Sequence, residues 1–233
     1  SHGEAVAHLN GKRVFVFGGI PGEEVVVEVI RERRDYIAAR VVNEVSPAVD
    51  RTEAPCPYYG RCTGCQWQHI SYQRQLKLKR DVVAQALVQI GGFVKPPVQP
   101  TLPSPQPYNY RNHARFTVGR DGFLGFVNRE TRRHVTVDQC LLMHPEINRM
   151  LSTLQGRCQG MTQLSIRYGV NTGSRLIQPL LQQPDIPLES GQKHYEEQVE
   201  GRAFRVMASS FFQVNTQQTE RLVKLVESKL ELM

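Results

Sequence analysis

The 233 residues suffice for two domains or several small ones, and the 40% hydrophobic and 22% charged content is ordinary for a folded protein, which excludes disorder. No apolar run approaches the length of a membrane span and the first residues lack the plan of a signal peptide, so we expect a cytoplasmic protein with no membrane partner. The net charge of +7 is uneven, because residues 51–180 carry the whole basic excess, and this favours a polyanionic partner over a merely basic surface.

Residues 1–48 predict a small OB-like β-barrel. Four β-branched runs, AVAHL, KRVFVF, EVVVEVIRER and YIAARVVNEV, are separated by the turn-forming sequences NGK, GGIPGEE and RRD. Asn10-Gly11 is a strong hairpin signal. Lys12 and Arg13 lie at a basic edge that is a candidate for RNA contact, although this segment as a whole is acidic.

Residues 49–98 contain a cluster of three cysteines, Cys56, Cys62 and Cys65, followed by a helix. Five cysteines in a reducing compartment are poor disulfide material, so the cluster indicates a metal site. Three close thiols with one remote ligand favour a [4Fe–4S] cluster over zinc, with no metal as the third possibility. The candidates for the fourth ligand are Cys140, Cys158 and His69. We favour Cys140, because it ends the strand-like run RRHVTVDQC, where a strand would hold its side chain at a fixed point.

The rest of the chain predicts a mainly β fold with α+β elements. A helix begins near Ser71 and ends at Gly91-Gly92, and a connector with six prolines follows it. Residues 99–210 predict a larger β-rich domain with one short helix, PEINRMLSTLQG. Residues 211–233 contain an amphipathic helix with Asn215 as its cap, and its apolar stripe is expected to pack on another surface.

Arginines are concentrated in the predicted central domain, where residues 99–180 hold ten of them against four acidic residues. Basic side chains neutralise phosphates, and aromatic rings stack on splayed bases of single-stranded RNA. Phe116, Phe123 and Phe126 are therefore either stacking residues or, as aromatic residues in strands more often are, core residues. The candidates for phosphate contact are Arg111, Arg115, Arg129, Arg132 and Arg133.

Five stretches of the sequence resemble the RNA (uracil-5-)methyltransferase family, which makes 5-methyluridine in ribosomal and some transfer RNAs. CPYYGRCTGCQWQHISYQRQLKLKRDVV resembles the iron–sulfur signature of that family, and GEAVAHLNGKRVFVFGGIPGEEVVVEVI resembles its RNA-binding TRAM domain. YRNHARFTV, LGFVNRETRRHVTVDQCLLMHPEIN and FRVMASSFFQVNTQQTERLV resemble the central domain and its exit into the methyltransferase domain. The resemblance covers essentially the whole chain.

The resemblance implies a set of cofactors, partners and site residues. It implies a [4Fe–4S] cluster on Cys56, Cys62, Cys65 and Cys140, which would act as a structural staple rather than a redox centre. It also implies that Gln213 contacts S-adenosylmethionine and that Phe211 lies near the target RNA. The expected partner is RNA, with 23S ribosomal RNA ahead of transfer RNA, and no obligate protein partner is inferred.

Other features of the family are not found in the sequence. There is no G-x-G-x-x-G stretch after a strand, and Cys158 lacks the family's nucleophile motif. We therefore expect residues 211–233 to be the start of a truncated methyltransferase domain, with the Rossmann-like catalytic part absent and the chain inactive alone. The alternative function is a stand-alone RNA-binding module with a zinc knuckle. A radical S-adenosylmethionine methylthiotransferase is disfavoured, because its C-x3-C-x2-C motif is missing.

Overall fold

The computed structural model describes residues 3–128, 130–183 and 185–230, which divide into two compact units, Ser1–Pro103 and Ser104–Met233. The fold is mixed α/β, with β-sheets dominant and three helices in the described part. The finer division at residues 48, 98 and 210 stays a prediction. None of the helices in the described ranges has both the length and the apolar character needed to cross a lipid bilayer.

The first unit contains the four strands that the sequence predicts. They are β1 (Ala5–Leu9), β2 (Lys12–Phe17), β3 (Glu24–Glu32) and β4 (Tyr36–Ser46). Asn10 and Gly11 both have positive φ, 49° and 78°, as the predicted hairpin between β1 and β2 requires. The sheet order is β1-β2-β4-β3, and β2 pairs with β4 in parallel. In the described residues these strands form a four-stranded sheet with β1 and β3 at its edges, and the predicted OB-like barrel stays a prediction.

The core of this sheet is small and follows the strand alternation. Val14 and Val16 of β2 pack with Ile37 and Ala39 of β4, and all four are buried. The next element, α1 (Tyr72–Gln89), begins after Ser71, whose hydroxyl accepts a hydrogen bond from the Arg74 amide at 3.4 Å, so the predicted cap is confirmed.

A buried ion pair joins the turn before β3 to the segment after β4. The Arg51 guanidinium donates Nε to Oε1 and Nη2 to Oε2 of Glu23, both at 2.6 Å. The Glu23 carboxylate also accepts the amides of Ile20 and Ala48, and its side chain is only 1% exposed. Such a bidentate pair fixes both partners geometrically.

This ion pair predicts an acid-sensitive first unit. Burial would raise the pKa of Glu23, but hydrogen bonds from Arg51, Ala48 and Ile20 outweigh it and lower the pKa from 4.5 to about 2. A lowered carboxyl pKa stabilises the fold above pH 4.5, and this contribution is lost as the pH falls toward 2. We expect urea midpoints read from the single tryptophan, Trp67, to fall in this window. The Glu23→Gln variant should lack that component of the fall, and an identical pH profile would contradict the assignment.

The second unit is built on a five-stranded antiparallel sheet with the order β7-β6-β5-β8-β9. Its strands are β5 (His113–Val118), β6 (Leu124–Val127), β7 (His134–Thr136), β8 (Gln163–Tyr168) and β9 (Arg175–Gln178). A separate antiparallel hairpin follows, made of β10 (His194–Val199) and β11 (Arg202–Met207). The helices are α2 (Pro145–Leu154) and α3 (Thr216–Leu230).

Helix α2 and the aromatic residues of β5 and β6 contribute to the core of the second unit. Helix α2 contacts β8 and buries Ile147, Met150, Leu151 and Leu154. Phe116 is 0% exposed and its ring centroid lies 5.3 Å from that of Phe126, so Phe116 is a core residue rather than a stacking platform. Phe123 remains 42% exposed.

Helix α3 follows an irregular segment at the end of β11. Asn215 accepts the Gln218 amide through Oδ1 at 3.0 Å, which confirms the predicted cap. The predicted apolar stripe is exposed in the described residues: Leu222 is 50%, Val226 46% and Leu230 61% exposed.

Candidate functional site

A basic surface forms where β5 pairs with β8. Alternation along β5 places Ala114 and Phe116 in the core and leaves His113 and Arg115 on the opposite side of the strand. His113 pairs with Arg167 of β8 in the sheet register, and its Nε2 lies 3.0 Å from the Ser165 hydroxyl.

The charges around His113 are all of one sign. Burial lowers the pKa of His113, and then Arg167, Arg111 and Arg115 lower it further, to about 4. The imidazole is therefore neutral at pH 7, and the positive charge near it comes from these three arginines. The Arg111 Nε donates to the His113 carbonyl at 3.0 Å, while Arg115 is exposed and donates to the Gln163 amide oxygen.

Arg167 was not singled out by sequence reasoning. It is 7% exposed, its guanidinium lies 5.9 Å from the ring centroid of Tyr195, and its Nε has no hydrogen-bond partner among the described residues. A buried guanidinium stacked on an aromatic ring stabilises the arrangement and adds charge below the surface. The basic run of the sequence gives no signal that separates Arg167 from its exposed neighbours.

The other predicted RNA contacts lie elsewhere. Arg132 and Arg133 are exposed in the turn between β6 and β7, where Arg132 has a positive φ of 59°. Lys12 and Arg13 lie on β2 in the first unit, and Lys12 is paired with Glu32 at 2.6 Å. Arg129 lies outside the described residues.

The segment between β11 and α3 alternates between outward and inward side chains. Phe211 is 82% exposed and Gln213 is also exposed, whereas Phe212 packs against the core of the β10–β11 hairpin. The Asn112 amide donates to the Val214 carbonyl at 2.9 Å, and the Asn112 side chain donates to the Gln213 carbonyl at 3.3 Å. The backbone is thus held from inside, and the exposed side-chain amide of Gln213 has the chemistry to hydrogen-bond the polar atoms of S-adenosylmethionine.

The three clustered cysteines lie in a loop of turns in the first unit. Cys56, Cys62 and Cys65 are half-buried, and none forms a disulfide in the described part of the chain. Burial raises the pKa of the Cys62 thiol, and the nearby Cys56 raises it further. The Cys62 amide is fixed by the Tyr58 carbonyl at 2.7 Å.

Cys140 does not end a strand as predicted. Strand β7 ends at Thr136, and Cys140 lies in the following irregular segment in the second unit. Its position is set instead by Asn148 of α2, whose side chain accepts the Cys140 amide at 2.9 Å and donates to the Cys140 carbonyl at 3.0 Å. Cys158 is 1% exposed, and its thiol donates to the Leu154 carbonyl.

The donor chemistry of these residues fits a soft metal, since all four predicted ligands are thiols that are not consumed in disulfides. Within the described ranges, however, no three His, Cys, Asp or Glu side chains are arranged as a group that could hold a metal ion. The predicted quartet therefore stays a prediction.

Sequence comparisons connect the chain to RNA methyltransferases. No family model matches it. A protein of Gloeobacter violaceus, named an uncharacterised RNA methyltransferase, is 30% identical over 96% of this chain and 61% of its own length. A protein of Aquifex aeolicus with the same name is 38% identical over 64% of this chain and 35% of its own length. The chain thus spans less than two thirds of these relatives.

A solved structure has the same fold. The Pyrococcus abyssi tRNA (uracil-54, C5)-methyltransferase, in complex with S-adenosyl-L-homocysteine, superposes with a TM-score of 0.69 at 20% identity. The match takes in 94% of this chain and 61% of that one. The prediction that the catalytic part is absent is therefore not supported, because nearly the whole chain matches the fold of a methyltransferase. The names of these proteins mention neither a TRAM domain nor an iron–sulfur cluster.

Proposed function

We propose that this chain is the RNA-binding and iron–sulfur portion of an S-adenosylmethionine-dependent RNA uracil-C5 methyltransferase. Its curated relatives are named RNA methyltransferases, and the solved structure with this fold is a tRNA uracil-C5 methyltransferase. We favour 23S ribosomal RNA as the substrate and place transfer RNA second. The whole enzyme forms 5-methyluridine in that RNA.

The observation that carries this proposal is the placement of three arginines beside His113: Arg111 donates to its carbonyl, Arg115 lies two residues along β5, and Arg167 is its register partner on β8. An enzyme that modifies a base in folded RNA must take that base out of its stack, which costs a few kcal/mol. Contacts between arginines and phosphates supply binding free energy for this step and hold the backbone beside the base. The neutral His113 and the Ser165 hydroxyl, 3.0 Å from its Nε2, form a polar pair on the same strands.

The remaining candidates provide further RNA contacts, each within its own unit. Arg132, Arg133, Lys12 and Arg13 neutralise further phosphates, and the exposed ring of Phe211 stacks on a base near the target. Gln213, two residues along the same segment, contacts S-adenosylmethionine, which supplies the methyl group. The base and the methyl donor would then meet at one short stretch of backbone.

The cysteine loop forms the iron–sulfur portion of the proposal. Cys56, Cys62 and Cys65 supply three sulfurs to a [4Fe–4S] cluster, and Cys140 supplies the fourth. When bound, the cluster supplies covalent cross-links between segments distant in sequence, because methyl transfer requires no net electron transfer. Thiolates are the ligands that iron–sulfur clusters prefer, and none of the four thiols is held in a disulfide in the described residues.

The proposal predicts that RNA binding depends on the arginines of the β5 face. We expect the Arg111→Ala/Arg115→Ala double variant to bind a 23S ribosomal RNA fragment roughly tenfold more weakly at physiological salt. The slope of log K against log salt concentration should fall by about one for each phosphate that an arginine no longer neutralises. Fluorescence anisotropy with a labelled transcript, repeated over a salt series, measures both quantities.

The matched control is Arg149→Ala. Arg149 lies on α2 rather than on the β5–β8 pair, its side chain is 70% exposed, and it is paired with Glu146. An equal loss of affinity in this variant would show that net charge alone determines binding, and it would contradict the interface. A parallel titration with a transfer RNA transcript distinguishes the two substrates, because the preferred RNA should bind more tightly and lose more affinity in the double variant.

A further inference from the structure

A buried carboxylate lies behind the Gln213 segment. Glu197 of β10 is 0% exposed and accepts four hydrogen bonds. The donors are the amides of Val170 at 2.9 Å, Asn171 at 3.1 Å and Gln198 at 3.0 Å, and the hydroxyl of Thr216 at 2.8 Å. A carboxylate removed from water is stable only when hydrogen-bond donors surround both of its oxygens, so the positions of these four donors are closely constrained.

The network continues from Glu197 to the backbone of Gln213. Thr216, 2% exposed, donates its hydroxyl to Glu197 and accepts the side-chain amide of Asn112 at 3.0 Å. Asn112, 1% exposed, holds the carbonyls of Gln213 and Val214 through its side chain and its backbone amide. Because the Thr216 hydroxyl donates its one hydrogen to Glu197, it is oriented to accept from Asn112.

The segment is also fixed on its far side. The Asn215 side chain donates to the Ser104 hydroxyl at 3.1 Å and accepts the Gln218 amide. The ring centroids of Phe212 and Phe204 lie 5.8 Å apart. An irregular stretch of chain is thus held at consecutive residues, while Gln213 and Phe211 stay exposed.

We propose that Glu197, acting through Thr216 and Asn112, is a positioning residue that fixes the backbone of Gln213 for contact with S-adenosylmethionine. This inference rests on the proposed function, since it assumes the contact of Gln213. A preorganised segment binds its ligand without the cost of ordering the backbone. Loss of the network should therefore weaken binding of the methyl donor even though no network residue touches it.

The test compares Thr216→Val, which keeps the shape and loses the hydroxyl, with Thr216→Ser, which keeps the hydroxyl. In the full 233-residue chain we expect Thr216→Val to weaken binding of S-adenosylmethionine about tenfold by isothermal titration calorimetry. Thr216→Ser should restore binding to within about twofold. Thr153→Val, which removes an exposed hydroxyl bonded to Arg149 on α2, is the control and should bind like the unmodified chain.

A double-mutant cycle with Gln213→Ala separates positioning from general stability. If Thr216 acts through Gln213, Thr216→Val should add little to the loss already caused by Gln213→Ala. Equal losses in both backgrounds would overturn the proposal. Should Thr216→Val fail to fold, Glu197→Gln takes its place in the same cycle, with the same two outcomes.

The hydrogen-exchange rate of the Asn112 amide tests the positioning role of Thr216 independently of whether the chain binds S-adenosylmethionine. If Gln213→Ala binds like the unmodified chain, or the unmodified chain does not bind, the contact of Gln213 with the methyl donor is wrong. The exchange rate of the Asn112 backbone amide, which donates to the Val214 carbonyl, then tests whether Thr216 positions the segment. Its exchange should be about tenfold faster in Thr216→Val, with Arg115 of the same region unchanged, and unchanged exchange at Asn112 would overturn the positioning role.

Discussion

Replacing Arg51 with alanine should destabilise the first unit by about 3–5 kcal/mol, because it leaves the Glu23 carboxylate buried without its partner. The side chain of Glu23 is 1% exposed and that of Arg51 is 17% exposed, so water cannot replace the guanidinium fully. The Arg51 Nη2 also donates to the Gly18 carbonyl at 2.7 Å. Urea unfolding followed by the fluorescence of Trp67 measures the change in the free energy of unfolding.

Arg80→Ala is the matched control for this prediction. Arg80 is paired with Asp81 at 2.7 Å on α1 in the same unit, but both side chains are exposed. Exposed pairs contribute about 0–1 kcal/mol, so this variant should unfold almost like the unmodified chain. A similar cost for both substitutions would mean that the burial of Glu23 does not decide the outcome.

Replacing Cys62 with serine should abolish iron binding, since a hydroxyl is a poor ligand for a cluster that requires thiolates. Anaerobically purified protein should contain about four iron and four sulfide ions per chain and absorb near 400 nm, whereas the variant should contain neither ion. Loss of the cross-links should also make the variant more sensitive to limited proteolysis. Metal analysis and absorption spectra measure the first effect, and a time course with trypsin measures the second.

Cys158→Ala is the control, because this thiol is buried in the second unit and is not a proposed ligand. It should retain its iron. A colourless unmodified protein with stoichiometric zinc would contradict the cluster and favour a zinc-binding RNA module. An iron-free Cys62→Ser variant that resists proteolysis as well as the unmodified chain would contradict the structural role of the cluster.

Local sequence signals predicted the elements of the fold well. β-Branched runs located β1 to β4, Asn10-Gly11 located the hairpin, and Ser71 and Asn215 located two helix caps. Each of these signals acts between residues close in sequence, where propensity and capping chemistry dominate. The parallel pairing of β2 with β4 depends on contacts between distant residues, and no local signal revealed that the sheet has two open edges in the described residues.

The candidate site was predicted only in its exposed parts. Arg111 and Arg115 were identified from charge, and the pairing of β5 with β8 places Arg167 opposite His113, which lies between them in sequence. Glu197 was missed because it lies in HYEEQV beside a second glutamate, and strand alternation alone cannot tell which of the two is buried with four donors. Cys140 was expected in a strand, whereas tertiary hydrogen bonds from Asn148 fix its backbone.

The side chain of Asn148 holds the backbone of Cys140 and does not contact its sulfur in these hydrogen bonds, so the position of the loop does not depend on the thiol. Both polar groups of the Cys140 backbone are satisfied by Asn148, and the Met143 amide also donates to the Cys140 carbonyl. Exchange of the thiol for a hydroxyl should therefore leave the local backbone unchanged, so a Cys140→Ser protein would test the proposed ligation without moving the loop. Asn148→Ala would instead test the position of the loop, because it keeps the Cys140 thiol but removes two hydrogen bonds to the Cys140 backbone.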